Sequence, residues 1–268
     1  MKVSICIATH DKPAYLRRTL ESIYHQPITD SGDVEVIVVD DRGADAWNST
    51  VCNDFPVKYI RIDGEEGYRN PAKARNVAYR AAIGDVIIAE SDDTIQVTKN
   101  CIEKLVEELT PGHFVIANVI NTDLSSNPVS IDIENPGYGK LLTLTGPNCL
   151  RPLFFLGSLY RRDLYAVGGN DEDFVAPSGE DQWFALCLMR GLKLEPIFSE
   201  TIVGHHLQHQ HKSVKATAMP SGDLLKKKMI LAMTGQIPWQ SSSGPWPYIN
   251  ENTPSPSHQA DSLPVAVG

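Results

Sequence analysis

The chain has 268 residues, enough for one sizeable core or two small ones, and its 42% hydrophobic and 21% charged residues are ordinary for a soluble globular protein. A formal net charge of −9 disfavours broad attraction to a polyanion, which makes nucleic acid a poor expectation as a partner. No apolar run approaches the roughly 18 residues that a membrane-spanning helix needs, and five scattered cysteines without C-x-x-C spacing indicate neither a disulfide framework nor a cysteine zinc site. They fit a reducing compartment, so the expected location is the cytoplasm.

Met1 and Lys2 followed by VSICIA look like the start of a signal peptide. The apolar part is too short, however, meets no small-residue cleavage site and runs straight into Thr9, His10, Asp11 and Lys12. It reads as a first strand over residues 2–8. A helix follows, with Pro13 in its first turn and Leu16, Leu20 and Ile23 on one face. VEVIVV at 34–39 is a second apolar, β-branched run of the kind buried on both faces of a parallel sheet, and VKYIRI at 57–62 is a third. Asn70 and Pro71 start another helix, whose Ala74, Val77, Ala78 and Ala81 form a small-residue face and whose expected end is Gly84.

The strand at 85–90 runs into Glu90, Asp92 and Asp93, three carboxylates in four positions. Closely spaced acidic groups after a buried strand suit a hard divalent cation that keeps positions open for substrate phosphates. A second long helix, expected from near Val97, carries Cys101, Ile102, Leu105, Val106 and Leu109. Strand and helix alternating in this way predict an α/β fold with a doubly wound, mostly parallel sheet flanked by helices. Ligands of such sheets bind beyond the carboxyl ends of the strands. Those ends here are Thr9–His10–Asp11, Asp40–Asp41 and Glu90–Ser91–Asp92–Asp93, so their polar residues are expected on one edge.

Beyond residue 113 the pattern is irregular apart from a strand near FVIANVI and helical segments after Asp181 and over 216–235. DLLKKKMILAM at 223–233 fans its lysines widely and spreads apolar residues all round. It is expected to pack on the domain, with peripheral membrane contact left open. From 236 to 268 Pro, Ser, Asn and Gln dominate, which predicts a flexible tail, with Trp239, Trp246 and Tyr248 as anchors for its first part. Four histidines, His205, His206, His209 and His211, form a cluster, three of which would share one face of an extended segment and could bind zinc.

VSICIATHDKPAYLRRTLESI, VEVIVVDD, AKARNVAYRAAIGDVIIAESDD and VGGNDEDFVAPSGEDQWFALCLMRGLKL, in that order, resemble the first strand and helix, the nucleotide strand, the helix and strand before the metal motif, and the catalytic segment of family 2 glycosyltransferases of GT-A type. The resemblance covers roughly residues 2–212. It divides the chain into a glycosyltransferase domain over 1–235, with a nucleotide half (1–112), an acceptor half (113–215) and a C-terminal helix (216–235).

That resemblance implies metal-dependent transfer of a sugar, with inversion, from a nucleotide-diphosphate donor to a glycan, lipid-linked or other hydroxyl acceptor. A UDP-sugar is the favoured donor, and Mn²⁺ or Mg²⁺ the cofactor. Asp92 and Asp93 would be the leading metal ligands, completed by His205 with His206 as alternate. Glu90 stands where the family usually has its first aspartate and would face the ribose, beside Ser91. Asp41, or equally Asp40, would accept from a base imide, although Arg42 and Gly43 follow where the family often has Gly-Ser. Ala8, Thr9, His10 and Asp11 would line the nucleoside, and Arg75 and Asn76 match the family's Arg-Asn pair. Arg69 is a further nucleotide contact, while Lys212 and Lys215 would close over the diphosphate. Asp181 would be the general base, with Glu180 contacting the acceptor or orienting the loop. Trp183 would offer a sugar its flat face, Gly168 and Gly169 a tight backbone approach, and Asp171 and Glu172 a border to the acceptor site. Two other readings compete: a nucleotide-sugar-binding module without turnover, and a sugar nucleotidyltransferase. The second normally has a glycine-rich basic loop after its first strand, where this chain has Thr9 to Pro13.

Overall fold

A computed structural model describes residues 1–41, 47–62, 70–123, 152–175, 179–207 and 215–248. The strands among them are β1 (Val3–Thr9), β2 (Val34–Asp41), β3 (Lys58–Ile62), β4 (Val86–Ser91), β5 (Thr94–Gln96), β6 (His113–Thr122), β7 (Leu156–Tyr160) and β8 (Glu195–Leu207). The helices are α1 (Pro13–Tyr24), α2 (Trp47–Cys52), α3 (Ala72–Ala81), α4 (Cys101–Glu107), α5 (Arg161–Val167), α6 (Glu180–Leu186) and α7 (Lys215–Met233).

The strands make one sheet in the order β3-β2-β1-β4-β7-β6-β8-β5. The β-branched runs of β1, β2 and β4 occupy its parallel half, with Thr9 opposite Asp40 and Ala8 opposite Ser91. That register brings three polar strand ends to one edge. β7 runs antiparallel to β4 and β6, β6 and β8 are parallel, and β5 is antiparallel to β8.

Period-two alternation splits the core between the two faces. Ile5, Ile7, Val36 and Val38 pack with Leu16, Leu20 and Ile23 of α1 and with Ile102 and Leu105 of α4. Cys6, Ile37, Val39 and Ile87 pack with Ala74, Ala78 and Tyr79 of α3 and with Trp183 and Phe184 of α6. Full burial of each large aliphatic side chain contributes about 1.5–3 kcal/mol relative to exposure. Cys6, Cys52, Cys101 and Cys187 are all buried and free.

Two expected helix boundaries change. The helix expected from Val97 starts at Cys101, because Thr94–Gln96 form β5 instead. The end of α1 holds that arrangement: Ser22 Oγ accepts from the Gln96 amide at 3.0 Å, and Gln26 Oε1 accepts from the Cys101 amide at 3.0 Å. Helix α3 starts as expected, with Asn70 Oδ1 accepting from the Ala72 amide at 2.9 Å, but stops at Ala81, where Ala82 turns extended. Gly84 serves close packing rather than the helix end, since a Cβ there would lie 2.6 Å from the Ser4 nitrogen.

Residues 236–248 are packed on the domain by aromatic side chains. Trp239 stacks on Trp183 with ring centroids 5.4 Å apart, and Trp246 lies edge-on to Tyr165 and 4.1 Å from the Arg80 guanidinium. Gly168 and Gly169 make room for this segment rather than for an acceptor. Both have positive φ, and Cβ atoms there would lie 1.8 Å from Gly244 O and 2.3 Å from the Trp246 ring. Residues 249–268 lie outside the described residues.

Candidate active site

The carboxyl ends of β1, β2 and β4 open on a cleft whose fourth wall is α3. Ala8, Thr9, His10 and Lys12 come from the end of β1 and its exit, Asp41 from β2, Glu90 and Ser91 from β4 with Asp92 just after it, and Ala74 and Arg75 from α3 with Pro71 just before it. Eight of the residues expected to bind a nucleotide thus border one space. Asp11 is exposed beside His10, with a φ of 49°. Arg69 lies outside the described residues, as do Arg42, Gly43, His209, His211 and Lys212.

Asp40 and Asp41 point to opposite faces of the sheet, and their surroundings differ. Asp40 accepts from the Tyr59 hydroxyl at 2.8 Å, on the side away from the cleft. Asp41 borders the cleft, and its carbonyl is 2.6 Å from His10 Nδ1, which ties the β1 exit loop to the end of β2.

Asp92 and Asp93 occupy the tight turn between β4 and β5, and both are buried. Each carboxylate has one oxygen on a neighbouring hydroxyl: Asp92 Oδ2 accepts from Thr9 at 2.8 Å and Asp93 Oδ1 from Ser91 at 2.7 Å. The other oxygen of each faces Lys12, whose Nζ is 3.3 Å from Asp92 Oδ1 and 2.6 Å from Asp93 Oδ2. Burial alone would depress the Lys12 pKa, but the two carboxylates outweigh it and hold the ammonium above its ordinary range. Nothing in the sequence pattern singled out Lys12. Only its place one residue before α1 brings it to the acidic pair.

Two convergent carboxylate oxygens that already hold a cation suit Mg²⁺ or Mn²⁺, which are commonly bound by one or two carboxylates plus phosphate oxygens and water. Among the described residues no three His, Cys, Asp or Glu side chains gather round one metal-sized point. The donor set therefore fits a metal completed by substrate and water. The expectation for His205 needs correction. Register pairs His206 with Thr94 and His205 with Ile95, so alternation aims His206 at the acidic turn and His205 away from it. His206 Nε2 lies 3.5 Å from Asp93 Oδ1, and its Nδ1 is 3.0 Å from Asn121 Oδ1. Burial holds His205 below the usual imidazole range and leaves its Nδ1 without a hydrogen bond.

Glu90 borders the cleft but is 2% exposed. One carboxyl oxygen accepts from Gln96 Nε2 at 2.8 Å, and Oε1 is buried without a partner. Burial pushes its carboxyl up to about 8, against the pull of the Gln96 bond.

Arg75 joins the cleft to the start of α6. It borders the cleft and donates through Nη1 to Asp181 Oδ1, with side chains 11% and 14% exposed. Gly179, with a φ of 96°, starts α6 so that Glu180 and Asp181 fall in its first turn, where helix amides favour negative charge. Glu180 Oε2 accepts from Asn70 Nδ2 at 2.9 Å, so Asn70 both caps α3 and ties it to α6. Burial, then the neighbouring Asp181 charge, raise the Glu180 carboxyl to about 7, against Arg75 and Asn70.

Three expectations for the acceptor side and the Arg-Asn pair give way to packing. Trp183 is fully buried, stacked on Trp239 with its Nε1 donating to Gln240 O at 3.2 Å, so it presents no face to a sugar. Asp171 is fully buried and paired with Lys228 at 2.9 Å, and it also accepts from Ser242. Asn76 is fully buried with its amide on Asn170 O and Glu172 Oε1, which clamps α3 to the segment after α5. Glu172, which accepts from Asn76 at 2.8 Å, is itself exposed.

Several solved structures share this fold. The mannosyltransferase PcManGT from Pyrobaculum calidifontis, in complex with GDP-Man and Mn²⁺, aligns with a TM-score of 0.62 at 18% identity over 87% of this chain and 64% of its own. S. aureus TarS gives 0.57 at 18% identity over 78% and 37%. Its 1–349 fragment in complex with UDP-GlcNAc gives 0.56 at 18% identity over 81% and 61%. The chain thus spans less than two thirds of the length of each, and at this identity the likeness establishes the GT-A type fold. No curated protein sequence matches the chain. The model of the family described as glycosyl transferase family 2 matches residues 4–168, more than half of the chain, and the chain belongs to that family.

Proposed function

We propose that the protein transfers a sugar from a nucleotide-diphosphate donor to a hydroxyl acceptor, with a divalent cation at Asp92 and Asp93 and inversion at the anomeric carbon. The observation that carries this reading is the bridge made by Arg75, which borders the same cleft as Asp92 and hydrogen-bonds Asp181. In this reading Arg75 links the donor cleft to the base, two parts of the chain that are distant in sequence.

In this reading Asp41 accepts from a base N–H, while Ala8, Thr9 and His10 line the nucleoside. The imide of uracil would match a lone carboxylate acceptor, which favours a UDP-sugar. A divalent cation, when bound, would supply positive charge to the leaving diphosphate. Asp92 and Asp93 would hold it through the oxygens that face Lys12, and His206 is the imidazole within reach of Asp93. Arg75 holds the Asp181 carboxylate in place. Asp181 takes the proton of the acceptor hydroxyl as that oxygen attacks, help typically worth about 10²–10⁴ in rate. A single carboxylate acting on the acceptor favours one in-line displacement, hence inversion. The free, buried cysteines suit a reducing compartment such as the cytoplasm.

Thermal shifts against a panel of UDP-, GDP- and other nucleotide sugars, with and without Mn²⁺, test the donor assignment. One nucleotide sugar should stabilise the chain selectively and more strongly with the metal. Asp181→Asn should then abolish transfer while nucleotide affinity is kept. Turnover by that variant at the wild-type rate would remove Asp181 from the mechanism.

A further inference from the structure

Two adjacent buried carboxylates without a cation would repel each other strongly, and this chain supplies a cation of its own. Thr9 and Ser91 hold one oxygen of each carboxylate, and Lys12 takes the other oxygen of each. The ammonium therefore lies where a metal would have to bind. A metal held between Asp92 Oδ1 and Asp93 Oδ2, about 2.0–2.1 Å from each, would take the space that the ammonium fills, 3.3 Å and 2.6 Å from those atoms.

Resting on the donor reading above, we infer that Lys12 is a resident counter-ion that a divalent metal must displace, so that metal and nucleoside diphosphate occupy the cleft as a coupled pair. The displacement needs only the side chain. Lys12 is 28% exposed while Asp92 and Asp93 are 6% and 3%, so the ammonium is on the open side of the pair. Its backbone stays fixed, because its carbonyl accepts from the Leu16 amide at 2.9 Å in the first turn of α1. Metal alone takes from Lys12 the two carboxylate oxygens that its ammonium holds. A diphosphate arriving with the metal gives the ammonium new anionic oxygens. Metal and nucleotide then raise each other's affinity by the same factor, as linkage requires.

The test is Mn²⁺ binding followed by electron paramagnetic resonance of the free ion, for wild type and Lys12→Met, alone and with UDP or GDP. Lys12→Met should bind Mn²⁺ alone roughly tenfold or more tightly than wild type. Nucleotide should enhance Mn²⁺ affinity strongly in wild type and much less in the variant, whereas Lys12→Arg should behave like wild type. Equal or weaker Mn²⁺ binding by Lys12→Met, or no Mn²⁺ binding by either protein, overturns the inference. A measurement on the wild-type chain covers a variant that fails to fold: reductive methylation read by peptide mass spectrometry. Mn²⁺ should raise the labelling rate of Lys12, and an unchanged rate counts against displacement. Nucleotide-sugar binding is scored separately. Tighter Mn²⁺ binding by Lys12→Met without any nucleotide-sugar affinity would sink the donor reading and leave the counter-ion in place.

Discussion

Arg75 of α3 donates to the carboxylate of Asp181 in the first turn of α6, across 106 residues of chain. Both side chains are largely buried, so each is the other's compensation for leaving water. Removing one partner of a buried pair costs more than the pair contributes, because the remaining charge is stranded.

Arg75→Ala should therefore lower unfolding stability by about 2–4 kcal/mol and reduce both nucleotide affinity and turnover. Arg75→Lys keeps a charge but not the planar fork, and should recover stability better than turnover. Urea denaturation and steady-state kinetics on the two variants check this. Full activity in Arg75→Ala would show that the bridge does not position Asp181.

The two histidines of β8 should separate cleanly. His206→Ala should weaken Mn²⁺ binding several-fold, since His206 is 3.5 Å from Asp93, while His205→Ala should leave it unchanged. Isothermal titration with Mn²⁺ and nucleotide distinguishes them, and the reverse pattern would return the imidazole role to His205.

Glu180 gives a pH signature. Its folded carboxyl is lifted to about 7, above an unfolded value of about 4.3. The folded state thus binds the extra proton between these values. The stability this contributes is fully present below about pH 4.3 and is lost as pH rises through about 7. Glu180→Gln keeps an acceptor for Asn70 and removes the titration. Comparing stability at pH 5 and pH 8, wild type should lose about 1–3 kcal/mol that the variant keeps. Parallel pH profiles for the two proteins would refute the assignment.

Gly169→Ala should detach the 236–248 segment. The added methyl meets Trp246 and Asn76 Oδ1, and the φ of 69° is costly for alanine. A loss of about 2 kcal/mol or more is expected, with a change in near-ultraviolet circular dichroism from Trp246. Nucleotide binding should persist, because among the described residues none of 236–248 lines the cleft. Loss of nucleotide affinity with stability intact would contradict this separation.

The parallel half of the sheet was legible because strands buried on both faces need continuous β-branched runs, and VSICIA, VEVIVV and VIIA are such runs. Asn70 and Pro71 likewise announced α3. β5 has only three residues and no pattern of its own. It is a strand because β8 pairs with it and α1 side chains cap it. Trp183, Asp171 and Asn76 misled for one reason. A buried tryptophan, a buried ion pair and a buried amide clamp use the same residue types as a sugar site, and the difference lies in neighbours such as Trp239 and Lys228 that are distant in the chain. The family match ends at residue 168, before Asp181, and only the fold brings Asp181 to Arg75 at the cleft.

The sequence by itself determined the strand ends and the acidic turn, because backbone periodicity and local turn chemistry are short-range and written in consecutive residues. Only the tertiary structure decided that Lys12 lies between Asp92 and Asp93, that His206 rather than His205 faces them, and that Arg75 reaches Asp181. Each depends on register and on helix placement. Those are fixed by the packing of the whole core, which no local window of the chain contains.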